Sequence, residues 1–232
     1  MRTTLFSVGD VPVVLWTPDD DATGPRPLIL LGHGGGRHKQ DPELVALAAR
    51  LVGEGGYAVA CADAPNHGDR PADAELDRVV ADFPARIAAG EDRAALIAEA
   101  QALMAGRTVP EWRAVLDHLR QQADVGAGPV GYWGISLGCG LGVPFVAAEP
   151  RVRAAVLGHG GAPNLAAAAA AITVPVAFLV QWDDERVPRG QSLALFDAFG
   201  AAQKTLHANP GRHGEVPGHE HDAALRFFQR HL

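Results

Sequence analysis

Apolar runs of strand length recur at residues 11–16, 28–31, 57–62, 129–133, 152–157, 174–180 and 204–208. Several are continuous, with no polar alternation, the pattern of strands buried on both faces of a parallel sheet. Between them the apolar positions take a helical period. Leu44, Leu47, Ala48 and Leu51 form one stripe behind Asp41-Pro42-Glu43, which offers an N-cap, a proline at the first helical position and an early acid. Trp112, Val115, Leu116 and Leu119 form another, behind a Thr108/Glu111 capping box. Leu193, Phe196 and Phe199 precede Gly200, a helix stop, and Leu225, Phe228 and Leu232 close the chain. Two short strands near 4–7 and 11–16, joined at Gly9-Asp10, are expected to pair as an antiparallel hairpin at one edge. The alternation predicts an α/β fold: a mostly parallel central sheet with helices on both faces.

Residues 69–107 depart from this alternation. They hold no strand candidate, only two helical patterns, the first carrying Leu76, Val79, Val80, Phe83 and Ile87 across Pro84. The segment reads as a helical insertion in a single 1–232 domain, either a surface helical hairpin or a small lid over the site.

The chain has 232 residues, 47% hydrophobic and 20% charged, with 20 Lys+Arg against 27 Asp+Glu for a net −7. That balance argues against disorder and against a nucleic-acid surface. The longest apolar stretch, 165–180, contains Thr173 and Pro175 and is too short for a membrane span, so it reads as an Ala-rich helix followed by a buried strand. Met1-Arg2-Thr3-Thr4 leads directly to Ser7, Gly9 and Asp10, without the pattern of a signal peptide. Cys61 and Cys139, each in an apolar context, read as buried reduced thiols. A cytoplasmic protein is expected, with neither a membrane nor a nucleic-acid partner; no oligomeric state follows from the sequence.

The chemistry centres on one of three serines. Ser136 lies in Gly134-Ile135-Ser136-Leu137-Gly138, between a strand and a helical stretch reaching Glu149. That context suits a nucleophile elbow, where flanking glycines prevent clashes in a strained turn that exposes the hydroxyl. A serine hydroxyl needs a base oriented by a carboxylate. After the 174–180 strand comes Gln181-Trp182-Asp183-Asp184-Glu185-Arg186-Val187-Pro188, and after the 204–208 strand comes Asn209-Pro210-Gly211-Arg212-His213-Gly214. Both loops lie at the carboxyl ends of strands, where α/β sheets assemble their sites. Among ten histidines His213 stands out by placement. His159, in Gly158-His159-Gly160-Gly161, is its chief competitor, while His207, His219, His221 and His231 read as solvated or satisfied residues. An oxyanion needs backbone N–H donors. The elbow supplies Leu137, and Gly32-His33-Gly34-Gly35-Gly36 after the 28–31 strand is an HGGG-type loop that can supply a second.

Serine, acid and histidine in that chain order, with this elbow and glycine loop, resemble the α/β-hydrolase superfamily over almost the whole chain. Within it the sequence is similar to compact dienelactone-hydrolase-like serine esterases. The resemblance implies an acid in an Asp-x-x-Val-Pro pattern, which selects Asp184 over Asp183; a base in a His-Gly loop, matching His213; and Gly35, with Gly34 second, as the oxyanion donor beside Leu137. Pro65-Asn66-His67-Gly68-Asp69-Arg70 resembles a structural loop of the superfamily, with Asp63 and His67 as loop-fixing or pocket-rim residues. Dienelactone hydrolase itself has a cysteine where this chain has Ser136. The implied activity is hydrolysis of small-molecule carboxylic esters with small to medium acyl or alcohol groups, through an acyl-enzyme and without metal or organic cofactor. Thioesterase, lactonase, peptidase, amidase or perhydrolase chemistry would use the same groups, and a non-catalytic binding protein is the alternative class. His159, Trp182 and His67 are the expected substrate-binding residues.

Overall fold

The computed structural model describes residues 1–20, 24–161 and 163–232. Among these residues eight strands form one sheet: β1 (Arg2–Val8), β2 (Val11–Thr17), β3 (Leu28–Gly32), β4 (Ala58–Ala62), β5 (Val130–Ile135), β6 (Val152–Gly158), β7 (Val176–Gln181) and β8 (Lys204–Asn209), in the order β1-β2-β4-β3-β5-β6-β7-β8. β1 and β2 form the expected antiparallel hairpin at one edge, β2 joins β4 antiparallel, and every later pairing is parallel. The parallel strands β3, β4, β6 and β7 are almost wholly buried, which explains their continuous apolar sequences.

Side-chain alternation divides the core into two layers. Leu28, Leu30, Tyr132, Leu157 and Phe178 face the helices α4 (Arg93–Leu119), α5 (Leu137–Ala148), α6 (Ala166–Ala171) and α7 (Arg189–Ala198). Ile29, Leu31, Trp133, Val156 and Leu179 face α1 (Pro42–Gly55) and α8 (His219–His231). In α1 the Asp41 side chain accepts from Glu43 N at 3.2 Å, Pro42 opens the helix and Gly56 closes it at φ 69°.

The 69–107 segment differs from its expected form. The pattern read across Pro84 is two helices, α2 (Ala74–Ala81) and α3 (Phe83–Ala88), because proline cannot donate within a helix but fits its first turn. The capping box at Thr108 does not start a helix. α4 is capped at Asp92, whose side chain accepts from Ala94 N, and runs unbroken to Leu119 with Thr108 fully buried and Pro110 inside it. The boundary at 107 therefore falls in mid-helix: Leu96, Ala100 and Met104 continue the buried stripe of Trp112, Val115 and Leu119, and this continuous apolar face overrides the local start signal. Among the described residues, no helix is long and apolar enough to cross a membrane.

Candidate active site

The loops that leave β3, β5, β6, β7 and β8 meet at one end of the sheet. Ser136 forms the turn between β5 and α5 with φ 56° and ψ −120°, a backbone conformation that L-residues avoid unless their surroundings enforce it. Its neighbours show why the motif needs glycine. A Cβ on Gly134 would fall 2.5 Å from Gly138 O, and one on Gly138 would fall 2.2 Å from Gly32 O. Ser136 N donates to Gly158 O at 2.9 Å, and Ser136 O accepts from Cys139 N and Gly140 N, so both sides of the turn are held.

The serine hydroxyl lies 2.8 Å from His213 Nε2, and His213 Nδ1 lies 2.8 Å from Asp184 Oδ2. The consistent assignment has Nδ1–H donating to the carboxylate and Nε2 accepting from the hydroxyl. Asp184 is fixed in turn: its Oδ1 accepts from Arg186 N at 2.8 Å and Val187 N at 2.9 Å. Asp183 is directed elsewhere, its Oδ2 accepting from Gly211 N at 3.4 Å. His213 and Asp184 side chains are both buried. Such a line can pass a proton from hydroxyl to imidazole while the carboxylate stabilises the cation formed.

The glycine loop after β3 is set by His33. Its Nε2 accepts from Ala64 N and its Nδ1–H donates to Gly34 O, both at 2.9 Å. Burial pushes its pKa down to about 4, so the ring is neutral near pH 7. With the Gly34 carbonyl drawn toward His33, the N–H across the same trans peptide, that of Gly35, points the opposite way. Gly34 and Gly35 line the cleft beside Ser136. Leu137 N begins α5, where an N–H has no partner within its helix. Further out Lys39, buried, donates from Nζ to Asp63 Oδ2 at 2.7 Å and Asp69 Oδ2 at 2.6 Å, and from its backbone to Asp63 Oδ1. Burial opposes the charge on Lys39, but the two carboxylates outweigh it and hold its pKa above the usual lysine value. Asp63 is thus a loop-fixing residue.

The cleft holds about 290 Å³. Leu44, Trp133, Ile135 and Val216 supply apolar walls, and Arg37, Asp41, Glu43, Arg186 and His221 supply polar ones. Of the three residues expected to bind substrate, only His159 lines it. Its backbone is left-handed at φ 52°, it is 2% exposed, and its ring stands edge-on to that of His213 at 5.4 Å. Neither ring nitrogen has a hydrogen-bond partner among the described residues, and burial pushes its pKa down to about 4.

Trp182 and His67 lie outside the lining. Gln181 ends β7 pointing inward, so strand alternation turns Trp182 outward, 45% exposed with the Arg189 guanidinium 4.2 Å over its ring. His67 is turned back on its own loop, with Nδ1 2.8 Å from Pro65 O and its ring against His33. No residue of 69–107 lines the cleft among those described. The walls come instead from α1 and the start of α8. His221 in particular belongs to the cleft, and burial, reinforced by Arg50, lowers its pKa. No local motif in the sequence marks His221, which reaches the cleft through the packing of α8.

Comparison with known proteins agrees with this architecture. The profile of the dienelactone hydrolase family matches residues 16–210. No curated protein matches the sequence. Among solved structures, a cold-adapted esterase from an Arctic intertidal metagenomic library, in complex with PEG, superposes with a TM-score of 0.80 at 32% identity, over 100% of this chain and 93% of that one. A dienelactone hydrolase from Anabaena variabilis superposes at 0.70 with 22% identity, over 100% and 97%. Est1E of Butyrivibrio proteoclasticus, solved with ferulic acid, superposes at 0.73 with 17% identity, over 98% of each chain; at these identities the last two show the fold alone. An eight-stranded sheet with an elbow serine at its centre, and a family match over most of its length, identify the chain as a member of the dienelactone hydrolase family, an α/β-hydrolase-fold family of ester-bond hydrolases.

Proposed function

We propose that the protein is a serine carboxylester hydrolase working by two-step acyl transfer. The observation that carries this reading is the unbroken hydrogen-bonded line from Ser136 Oγ through His213 to Asp184. Ser136 attacks the ester carbonyl as His213 Nε2 takes its proton; Asp184 holds the imidazolium, and His213 then protonates the leaving alcohol. The Leu137 and Gly35 N–H groups receive the tetrahedral oxyanion. Water, activated by the same imidazole, releases the acid.

A cleft of about 290 Å³ with mixed walls suits a small to medium acyl or alcohol group. Hydrolysis of p-nitrophenyl acetate, butyrate and octanoate by the wild type beside Ser136→Ala tests the reading. The expected result is loss of activity on the order of 10⁶-fold without the hydroxyl, with octanoate the poorest substrate. Equal activity in both proteins would remove Ser136 from the mechanism. No labelling of the wild type by a fluorophosphonate would favour a non-catalytic binding protein.

A further inference from the structure

His213 is held from below by a side chain that does not touch the reacting groups. Gln181, the last residue of β7, is 1% exposed and lies beneath the loop that carries His213. Its Nε2 donates toward three carbonyls of that loop: Glu215 O at 2.7 Å, Arg212 O at 3.3 Å and Pro210 O at 3.5 Å. These oxygens lie on both sides of His213 in the sequence and all point inward. Backbone carbonyls turned onto a buried side chain need donors, and an uncharged amide provides them without bringing an ion into the core.

The loop is shaped around this amide. Gly211 has φ 116°, and a Cβ there would sit 3.3 Å from Gln181 Nε2 and 3.0 Å from Glu215 Oε2. Glu215 Oε2 accepts from Arg212 N at 2.8 Å, and Glu185 Oε2 accepts from His213 N at 3.0 Å, so the loop is tied at its rim as well as at its base.

We infer that Gln181 is a positioning residue for the reaction: its carboxamide fixes the 210–215 loop and so holds the His213 imidazole between Ser136 and Asp184. This rests on the proton-transfer role of His213 proposed above. A general base displaced by about 1 Å costs on the order of 10²-fold in rate while leaving substrate contacts in place, so the effect belongs in kcat.

The test is steady-state kinetics with p-nitrophenyl butyrate on Gln181→Met, which keeps length and removes the donor, and Gln181→Glu, which turns acceptors toward acceptors. Both are expected to lower kcat by roughly 10²-fold with KM within about threefold of the wild type. Gly211→Ala, which crowds the amide from the loop side, should give a milder form of the same split. Combined with Gln181→Met it should cost little more than Gln181→Met alone, because both act through one anchor. The inference is overturned if folded Gln181→Met keeps kcat within about threefold, if KM rises as far as kcat falls, or if the two losses multiply in full. Should Gln181→Met fail to fold, Gly211→Ala decides by its own kcat and KM. Ser136→Ala on the same substrate separates the two levels: wild-type rates there would defeat the underlying reaction, whereas an inactive Ser136→Ala beside a fully active Gln181→Met would defeat only the positioning role.

Discussion

Asp183 and Asp184 follow β7 where the chain turns, and their side chains go to different partners: Asp183 accepts from Gly211 N, and only Asp184 reaches the His213 ring. Asp184→Asn should lower kcat by about 10³–10⁴-fold, because an amide no longer favours the required imidazole tautomer. Asp183→Asn, measured in the same assay, should lose less than about tenfold; a reversal of this order would reassign the acid. His33 acts through one peptide plane. His33→Leu removes both its hydrogen bonds and frees the Gly34 carbonyl to rotate, and the Gly35 N–H with it. The expected loss is about 10–10²-fold in kcat with KM little changed, the signature of a weakened oxyanion donor. Ser136, Asp184, His213 and the glycine loop were legible in the sequence because each follows a recognisable strand and carries a local motif. Glu43 and His221 were not: they reach the cleft because α1 and α8 pack on the same face of the sheet, a long-range fact without local pattern.

At the scale of elements, α4 shows where local signals mislead. Thr108 and Glu111 have capping-box spacing, yet the apolar stripe continues through them and burial against the sheet and α5 decides the outcome. Pro110 remains as a cost inside the helix, since it cannot donate to the Gly106 carbonyl. Pro110→Ala should therefore raise stability by about 1 kcal/mol or more, seen as a melting temperature higher by roughly 2–4 °C, with esterase activity unaltered. An unchanged or lower melting temperature would mean that the helix is shaped around its proline. Most strands were foreseen within two residues because continuous apolar runs have few alternative uses, whereas the 69–107 helices belong to a layer whose partners the sequence did not name.

For the whole molecule, proton binding sets the pH range of stability. His33 and His159 have pKa values lowered to about 4 by burial, against about 6.5 in an unfolded chain. Between those values the unfolded chain binds more protons, so stability is complete above about pH 6.5 and falls as pH drops toward 4. The shift from 6.5 to 4 corresponds to roughly 3 kcal/mol for each histidine. Asp63, Glu149 and Glu220 are buried, which alone would raise their pKa values, but Lys39, Arg151 and His207 outweigh burial and hold them low, so they act in the same direction. His207 opposes them: its bond to Glu220 raises its pKa, and that contribution is lost as pH rises. The urea midpoint should thus be clearly lower at pH 4.5 than at pH 8, and His159→Asn should flatten the slope. A midpoint independent of pH would contradict the neutral, buried state of these rings.

His213 follows β8, an edge strand, which among the described residues is bonded to β7 alone and leaves Thr205 and Leu206 exposed. Ser136 follows β5 near the middle of the sheet. A border strand opens at lower free energy than an interior one, so opening of β8 would part His213 from Ser136 while most of the sheet survives. In rising urea, ester hydrolysis should fade before the far-ultraviolet circular dichroism does, and the backbone amides of β8 should exchange with deuterium ahead of those in β3 and β5. The enzyme would then fall silent before it unfolds, and regain its voice as soon as one strand zips back.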